Sequence, residues 1–262
     1  MTAEAYPIHE SSSRSQREEE GIIRPFRPAD REAVREISRH TAFRNRGFDS
    51  VFEDGELFAD YWTRYYTDFE PESCLVAEEG GRVIAYLLGC VDSGHFVAVM
   101  GRRILPPILL RIFVRLLTGR YRRPVTRRTL WWLLSRSWRE APPLNRKLFP
   151  AHYHCNVLSP GHRKRYYSRM VAIFLDRLAE MGIERLHGQV EEPVAGGAWL
   201  RMVQAYCQSC DCFHLLDYFA EKPSTFQRIV LGREKDFVNR VWGARVRVYR
   251  DWLLWAAQRY GL

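Results

Sequence analysis

Apolar positions along this chain change period several times, and each change predicts an element. IIRPFR at 22–27 reads as a short strand, and Asp30 opens a helix in which Ala33, Val34, Ile37 and Thr41 recur at helical spacing. A second helix is expected over about 54–69, with Leu57, Phe58, Tyr61, Trp62, Tyr65 and Phe69 as a broad apolar stripe and Asp54 as its cap. SCLVAEE at 73–79, the turn Gly80-Gly81 and RVIAYLLGCV at 82–91 predict a β-hairpin. Beyond it the rhythm breaks. Pro106-Pro107 open a helix whose apolar residues Ile108, Leu109, Ile112, Phe113, Leu116 and Leu117 share one face, and Gly119 can end it. A further helix, about 126–139, sets Leu130, Trp131, Leu134 and Trp138 on one side. Alternation then returns: a strand at 151–158, a helix at 163–181 ending at Gly182, a strand at 184–191, and a helix near 196–209. Strands near 211–220 and 225–232 follow, then a terminal helix near 234–258 carrying Trp242, Trp252, Leu253, Leu254 and Trp255. Strands alternating with helices through short connections favour an α/β or α+β sheet.

Composition narrows the picture. With 262 residues, 46% hydrophobic and 13% aromatic, the chain can build a large core. MTAEAYPIHESSSRSQREEE at 1–20 has little to bury and reads as a flexible leader without the apolar stretch of a signal peptide, so one domain is expected over 21–262. Six cysteines scattered from Cys74 to Cys212 are too sparse for a disulfide framework, which fits reduced thiols and a cytoplasmic location. The most apolar run, ILPPILLRIFVRLL at 104–117, is interrupted by Arg111 and Arg115 and is too short to span a bilayer. Charge is concentrated: residues 93–149 hold twelve arginines and one lysine against one acid, Glu140, a net +12, so the rest of this +9 chain sums to −3.

The stretch AHYHCNVLSPGHRKRYYSRMVAIFLDRLAEMGIERLHGQVEE at 151–192 combines a strand, a basic turn after a proline, an amphipathic helix and a second strand. Free N–H groups where a turn opens a helix form a natural seat for a pyrophosphate. In this order of elements the segment resembles the cofactor motif of the GNAT N-acetyltransferases. IIRPFRPADREAVREI resembles that family's first strand and helix, and SCLVAEEGGRVIAYLLG its second and third strands. The resemblance covers roughly 22–92 and 150–232 and implies a GNAT fold: a mixed sheet of about seven strands flanked by helices, with the helical segment 93–149 inserted between the third and fourth strands. It implies acetyl-CoA as co-substrate and an amine as acceptor. The family's turn, Gln/Arg-x-x-Gly-x-Gly/Ala, falls on Arg163, Tyr166 and Ser168, so Arg163, Lys164, Arg165, Tyr166, Tyr167 and Ser168 are implied around the pyrophosphate, and Asn156, Val157 and Leu158 along the pantetheine arm. Tyrosine at 166 and serine at 168 replace the small residues that ease a phosphate's approach. A tyrosine there must either point out of the turn or obstruct the phosphate.

Transfer to an amine needs a proton acceptor for the nitrogen and a donor for the leaving thiolate. The resemblance implies a tyrosine on the helix after the fifth strand, where Tyr206 lies; the same residue also reads as core packing beside Trp199 and Met202. His152 and His154 alternate along one strand and so share a face, where either could serve as base at a pKa near neutrality or simply pack. Glu191 and Glu192, just beyond the fifth strand, are comparable candidates. Cys207, Cys210, Cys212 and His214 invite a zinc reading, but the passage from helix to strand would scatter them, and small buried hydrophobes are the simpler account, so no metal is expected.

For the basic insert, one reading packs its apolar faces on the core and leaves the arginines in solvent. Others use it on an acidic partner, on nucleic-acid phosphates, or at an anionic membrane surface, the last favoured among them by its tryptophans and leucines. Two function classes follow: an acyl-CoA-dependent N-acyltransferase acting in a ternary complex, or a GNAT-fold binding module whose altered turn no longer holds CoA. The acceptor and the oligomeric state are not legible in the sequence.

Overall fold

Two antiparallel sheets touch at a single point and then part. The computed structural model describes residues 21–210 and 215–261. The leader at 1–20, together with Cys212 and His214, lies outside the described residues, as do the side chains of Arg163, Lys164, Arg165 and Cys210. The first sheet is built from β1 (Ile22–Pro25), β2 (Cys74–Glu79), β3 (Arg82–Cys90) and β4 (His152–Val157), neighbours in that order; α1 (Arg31–Asn45) and α2 (Gly55–Phe69) connect β1 to β2. Between β3 and β4 the chain forms α3 (Ser93–Val99), a π-helical turn at Met100–Ile104, α4 (Leu105–Leu117) and α5 (Pro124–Ser135). After β4 come α6 (Pro160–Glu180), β5 (Arg185–Pro193), α7 (Ala198–Cys210), β6 (Tyr218–Ser224), the short α8 (Phe226–Ile229), β7 (Phe237–Arg245) and α9 (Val246–Tyr260), with β7 central in the second sheet between β5 and β6.

Strand alternation divides the core into two faces. Ala85 and Leu87 point toward α6 and α9, where Met170, Phe174, Leu175, Trp252 and Leu253 are buried. Tyr86, Leu88 and Cys90 point the other way, toward α1, α2 and the insert, among Val34, Ile37, Tyr65, Ile104 and Leu130. Gly89 has no room for a side chain: a Cβ there would sit 2.5 Å from the Ser73 carbonyl oxygen and 2.3 Å from Phe174. Asp54 caps α2 by accepting from the Leu57 N–H, and Gly182, at φ +72°, ends α6, both as the sequence predicts.

Three expectations change. The helix foreseen from 234 begins at Val246; residues 237–245 are instead the central strand β7, and 225–232 holds the four-residue α8 rather than a strand. The segment RVWGARVRV carries apolar residues at both periods, and a strand is selected because β5 and β6 flank it, with Arg240 buried against Glu192 and Glu221. Second, α6 starts three residues early, at Pro160, because Ser159 caps it and proline suits the first helical position. Third, the insert does not pack its predicted apolar faces inward. On α4, Ile108 is buried while Leu109, Phe113, Leu116 and Leu117 are exposed; on α5, Leu130 is buried while Trp131, Leu134 and, just past the helix, Trp138 are exposed. Nor are all its arginines free in solvent, since Arg115 pairs with Asp54 and Arg111 lies 3.6 Å from Asp60.

Candidate functional site

The point where the sheets part defines the site. Ala151 and Leu186 form one parallel bridge, in which the His187 N–H donates to the Ala151 carbonyl at 2.8 Å, and no pairing between β4 and β5 continues past it among the described residues. Parity then fixes which way each β4 backbone group turns. The Leu158 N–H bonds the Ile84 carbonyl at 3.0 Å, so 158, 156, 154 and 152 turn their backbone groups to β3. Tyr153, Cys155 and Val157 turn theirs into the gap. Of the three residues expected along the pantetheine arm, Val157 therefore presents an open edge. Asn156 and Leu158 spend their backbone groups on β3, and the Asn156 side chain donates to the Tyr86 hydroxyl at 2.8 Å.

Beyond Val157 the chain enters α6. Pro160 has no N–H, and the His162 N–H is taken by the Ser159 hydroxyl at 3.3 Å, which leaves Gly161 as the first-turn donor without an intrahelical acceptor. The N–H groups of Tyr166, Tyr167 and Ser168 lie deeper in the helix, where carbonyls four residues back engage them. Tyr166 does not obstruct the seat, because its side chain is fully buried in the core, with its hydroxyl against Gly21. Ser168 is buried as well, and Tyr167 packs beside Tyr153. His162 lies between Ser159 and Glu79, 2.9 and 3.2 Å away.

From β1 to β5, with a helical insert between β3 and β4, the order of strands and helices is the one that the sequence resemblance implies, although the seven strands form two antiparallel sheets rather than one mixed sheet. The fold is the GNAT fold. Among solved structures, the chain is similar to SsHAT (23% identity, TM-score 0.49, covering 86% of this chain and 98% of that one). It is also similar to an N-acetyltransferase from Staphylococcus aureus Mu50 (10%, 0.44, 86% and 98%) and to a putative acetyltransferase from Salmonella typhimurium solved with its cofactor acetyl-CoA (16%, 0.40, 87% and 94%). No protein-family model matches the chain, and none of the curated proteins compared with it does.

On the α1–α2 side, β4 and β5 of this GNAT fold carry a row of polar side chains. His152 is fully engaged. Ser93 gives its hydroxyl proton to the Pro150 carbonyl at 2.6 Å, so at 2.7 Å it must accept from His152 Nδ1–H, while the Tyr66 hydroxyl donates to Nε2 at 3.0 Å. Burial pushes the imidazole down to about 3, in line with this neutral tautomer. The residue fastens β4 to α2 and to the root of the insert. His154 lies between Trp62 and Tyr86, its Nδ1 has no partner, and burial lowers it to about 4. The two histidines share a face, as the alternation predicts, but neither titrates near neutrality. His187, on β5, accepts or donates at Nδ1 to no side chain; its partner is the Phe149 carbonyl at 2.8 Å, and burial again lowers it to about 4.

Next to this row opens a cavity of about 610 Å³. Its floor is Gln189 and Glu191 of β5 with Asn239 of β7, its wall includes Trp62 of α2, and its roof comes from α4 and α5 through Ile112 and Leu130. Glu191 accepts from the Ser224 hydroxyl at 2.5 Å and from the Gln227 side chain. Glu192 points the opposite way and is structural, accepting from the Trp199 N–H at the start of α7 at 2.9 Å and facing Arg240. Sequence reasoning misses Gln189 and Asn239, although His187, Gln189 and Glu191 alternate in HGQVE and mark one strand face.

Tyr206 stands apart from His154 and Glu191. It lies on α7, on the α6 side of the sheets, packed edge-on against Trp255 of α9 at 5.2 Å between centroids, and burial raises its hydroxyl pKa. Among the described residues no group of three or more His, Cys, Asp and Glu is placed to hold a metal ion, and no helix is long and apolar enough to cross a membrane.

Proposed function

We propose that this protein is an acetyl-CoA-dependent N-acetyltransferase whose acceptor is an amine with a sizeable apolar part, both substrates being bound together. One observation carries the reading: the parting of β4 from β5 leaves the backbone groups of Tyr153 and Val157 turned into a gap between the opening of α6 on one side and the apolar cavity on the other. An extended amide-bearing arm such as pantetheine can pair with such an edge as a strand would. The open N–H of Gly161 and the positive end of α6 favour its phosphates by about 0.3–1 kcal/mol.

In this reading the amine nitrogen attacks the thioester carbonyl, the carbon–sulfur bond breaks, and the thiolate leaves with a proton. The two proton roles then belong to opposite sides of the sheet. Glu191, the carboxylate of the cavity, takes the amine proton, and the neutral His154 offers Nδ1 to an amine N–H; Tyr206, on the α6 side, is the proton source for the thiolate. Separation of Tyr206 from His154 and Glu191 therefore suits an acyl donor and an acceptor that approach from opposite faces. A second reading, a binding module without turnover, is supported by the sparse donors in the first turn of α6, where Pro160 and Ser159 remove two of them.

The experiment is to follow CoA release from acetyl-CoA with two amines, a short polyamine and one bearing a large apolar group. Release is expected with a higher kcat/KM for the apolar amine, and Glu191→Gln should lower kcat by on the order of a hundredfold. No release above the uncatalysed rate with either amine would overturn the reading.

A further inference from the structure

Of the large hydrophobic side chains left in solvent, a disproportionate share belongs to the insert. Leu109, Leu110, Phe113, Val114, Leu116 and Leu117 stand out from α4, and Trp131, Leu134 and Trp138 from α5 and the turn after it. Leu110, Leu117, Leu134 and Trp138 are 63–73% exposed, a cost that a protein surface normally avoids. The inner stripes of both helices, Ile108 and Ile112 on α4 and Thr129 and Leu130 on α5, converge on the cavity beneath them, so their outer faces look away from the same side of the molecule.

The same segment holds a net +12, and Arg102, Arg103, Arg120, Arg122, Arg127, Arg128 and Arg146 are exposed along it. Its single acid does not offset them at the surface, because Glu140 is buried and accepts from the Thr225 N–H at 2.8 Å and the Trp132 indole at 3.2 Å. Arg136 and Arg139 lie over the rings of Trp131 and Trp138 at 5.4 and 4.7 Å, the pairing of aromatic and cation met at a lipid headgroup layer. Another copy of the chain would bring a second net +12 against the first, and nucleic acid would leave the leucines unburied. An anionic bilayer satisfies both features at once: acyl chains for the apolar face and phosphates for the arginines.

We infer that the α4–α5 hairpin is an interfacial anchor that lays its outer face on an anionic membrane without crossing it. The inference is independent of the proposed transferase activity.

The test is co-sedimentation of the full chain with phosphatidylcholine vesicles, with and without phosphatidylglycerol. Binding is expected on the anionic vesicles, weakening as salt is raised, with tryptophan emission shifted to the blue. The variant L110S/F113S/L117S removes apolar surface that supports no core, so it should keep its melting temperature and bind on the order of tenfold or more weakly. Three results would overturn the inference: protein left in the supernatant with anionic vesicles at low salt, unchanged binding by the triple variant, or a self-association in solution that the triple variant abolishes. Binding to duplex DNA with indifference to vesicles would also contradict it.

Discussion

Helices α4 and α6 carry comparable apolar stripes in sequence and meet opposite fates. In α6, Tyr166, Met170, Val171, Phe174, Leu175 and Leu178 are all buried between the sheet and α9. In α4 only Ile108 is buried, and six large apolar side chains remain in solvent. The difference is one of partners. The α6 stripe faces β3, β4 and the later α9, whereas the α4–α5 hairpin meets the body along a narrow edge through Ile108 and Leu130, with polar contacts beside them. Arg115 pairs with Asp54, the Tyr121 hydroxyl reaches Asp54 at 3.1 Å, and the Thr129 hydroxyl donates to the Val51 carbonyl at 2.7 Å. Periodicity shows that a face is apolar; what covers it depends on distant parts of the chain.

This contrast can be broken most forcefully by truncation. Phe174→Ala should cost about 3–5 kcal/mol in urea unfolding, while Leu110→Ala should stay within about 0.5 kcal/mol of the parent. A large loss at Leu110 would show that α4 is covered in solution. Acid provides the next lever. His152, His154 and His187 have folded pKa values of about 3, 4 and 4, below the usual 6.5, so the unfolded chain binds more protons between those limits. Stability is therefore complete above pH 6.5 and is lost as pH falls toward 4, by about 1.4 kcal/mol per pH unit for each histidine. Because His152 fastens Ser93 at the root of the insert, amides of α4 and α5 should exchange with solvent at mild acid before those of α6 do. Glu140→Ala, smaller again at about 1–3 kcal/mol, leaves the Thr225 N–H and the Trp132 indole without their acceptor and should loosen the hairpin selectively, as hydrogen exchange would report.

Much of this architecture is written locally. The Gly80-Gly81 turn, the Asp54 cap, the Gly182 stop and the alternation in β3 each act within a few residues, so the order of elements is legible in the amino-acid sequence alone. Strand β7 is not, since VWGARVRV satisfies both periods and is decided by β5 and β6 beside it. The site is legible in part. The shared face of His152 and His154 follows from alternation, and Glu191 follows from its place on β5, but the tautomer of His152 depends on Ser93 and Tyr66, 59 and 86 residues away. Tyr166 is instructive in another way: the tyrosine that stands where the family has glycine turns into the core beside Gly21, a contact between segments that no local pattern encodes.

The parting of β4 from β5 as the seat of an acyl-CoA is tested most directly by calorimetric titration of acetyl-CoA into the unaltered protein and into Val157→Pro. Proline removes one N–H from the open edge while leaving the β3 ladder intact, because Val157 does not donate to β3. Saturable binding by the parent, weakened about three- to tenfold by the proline, is the predicted result. Absence of binding by the parent at high micromolar acetyl-CoA would contradict it.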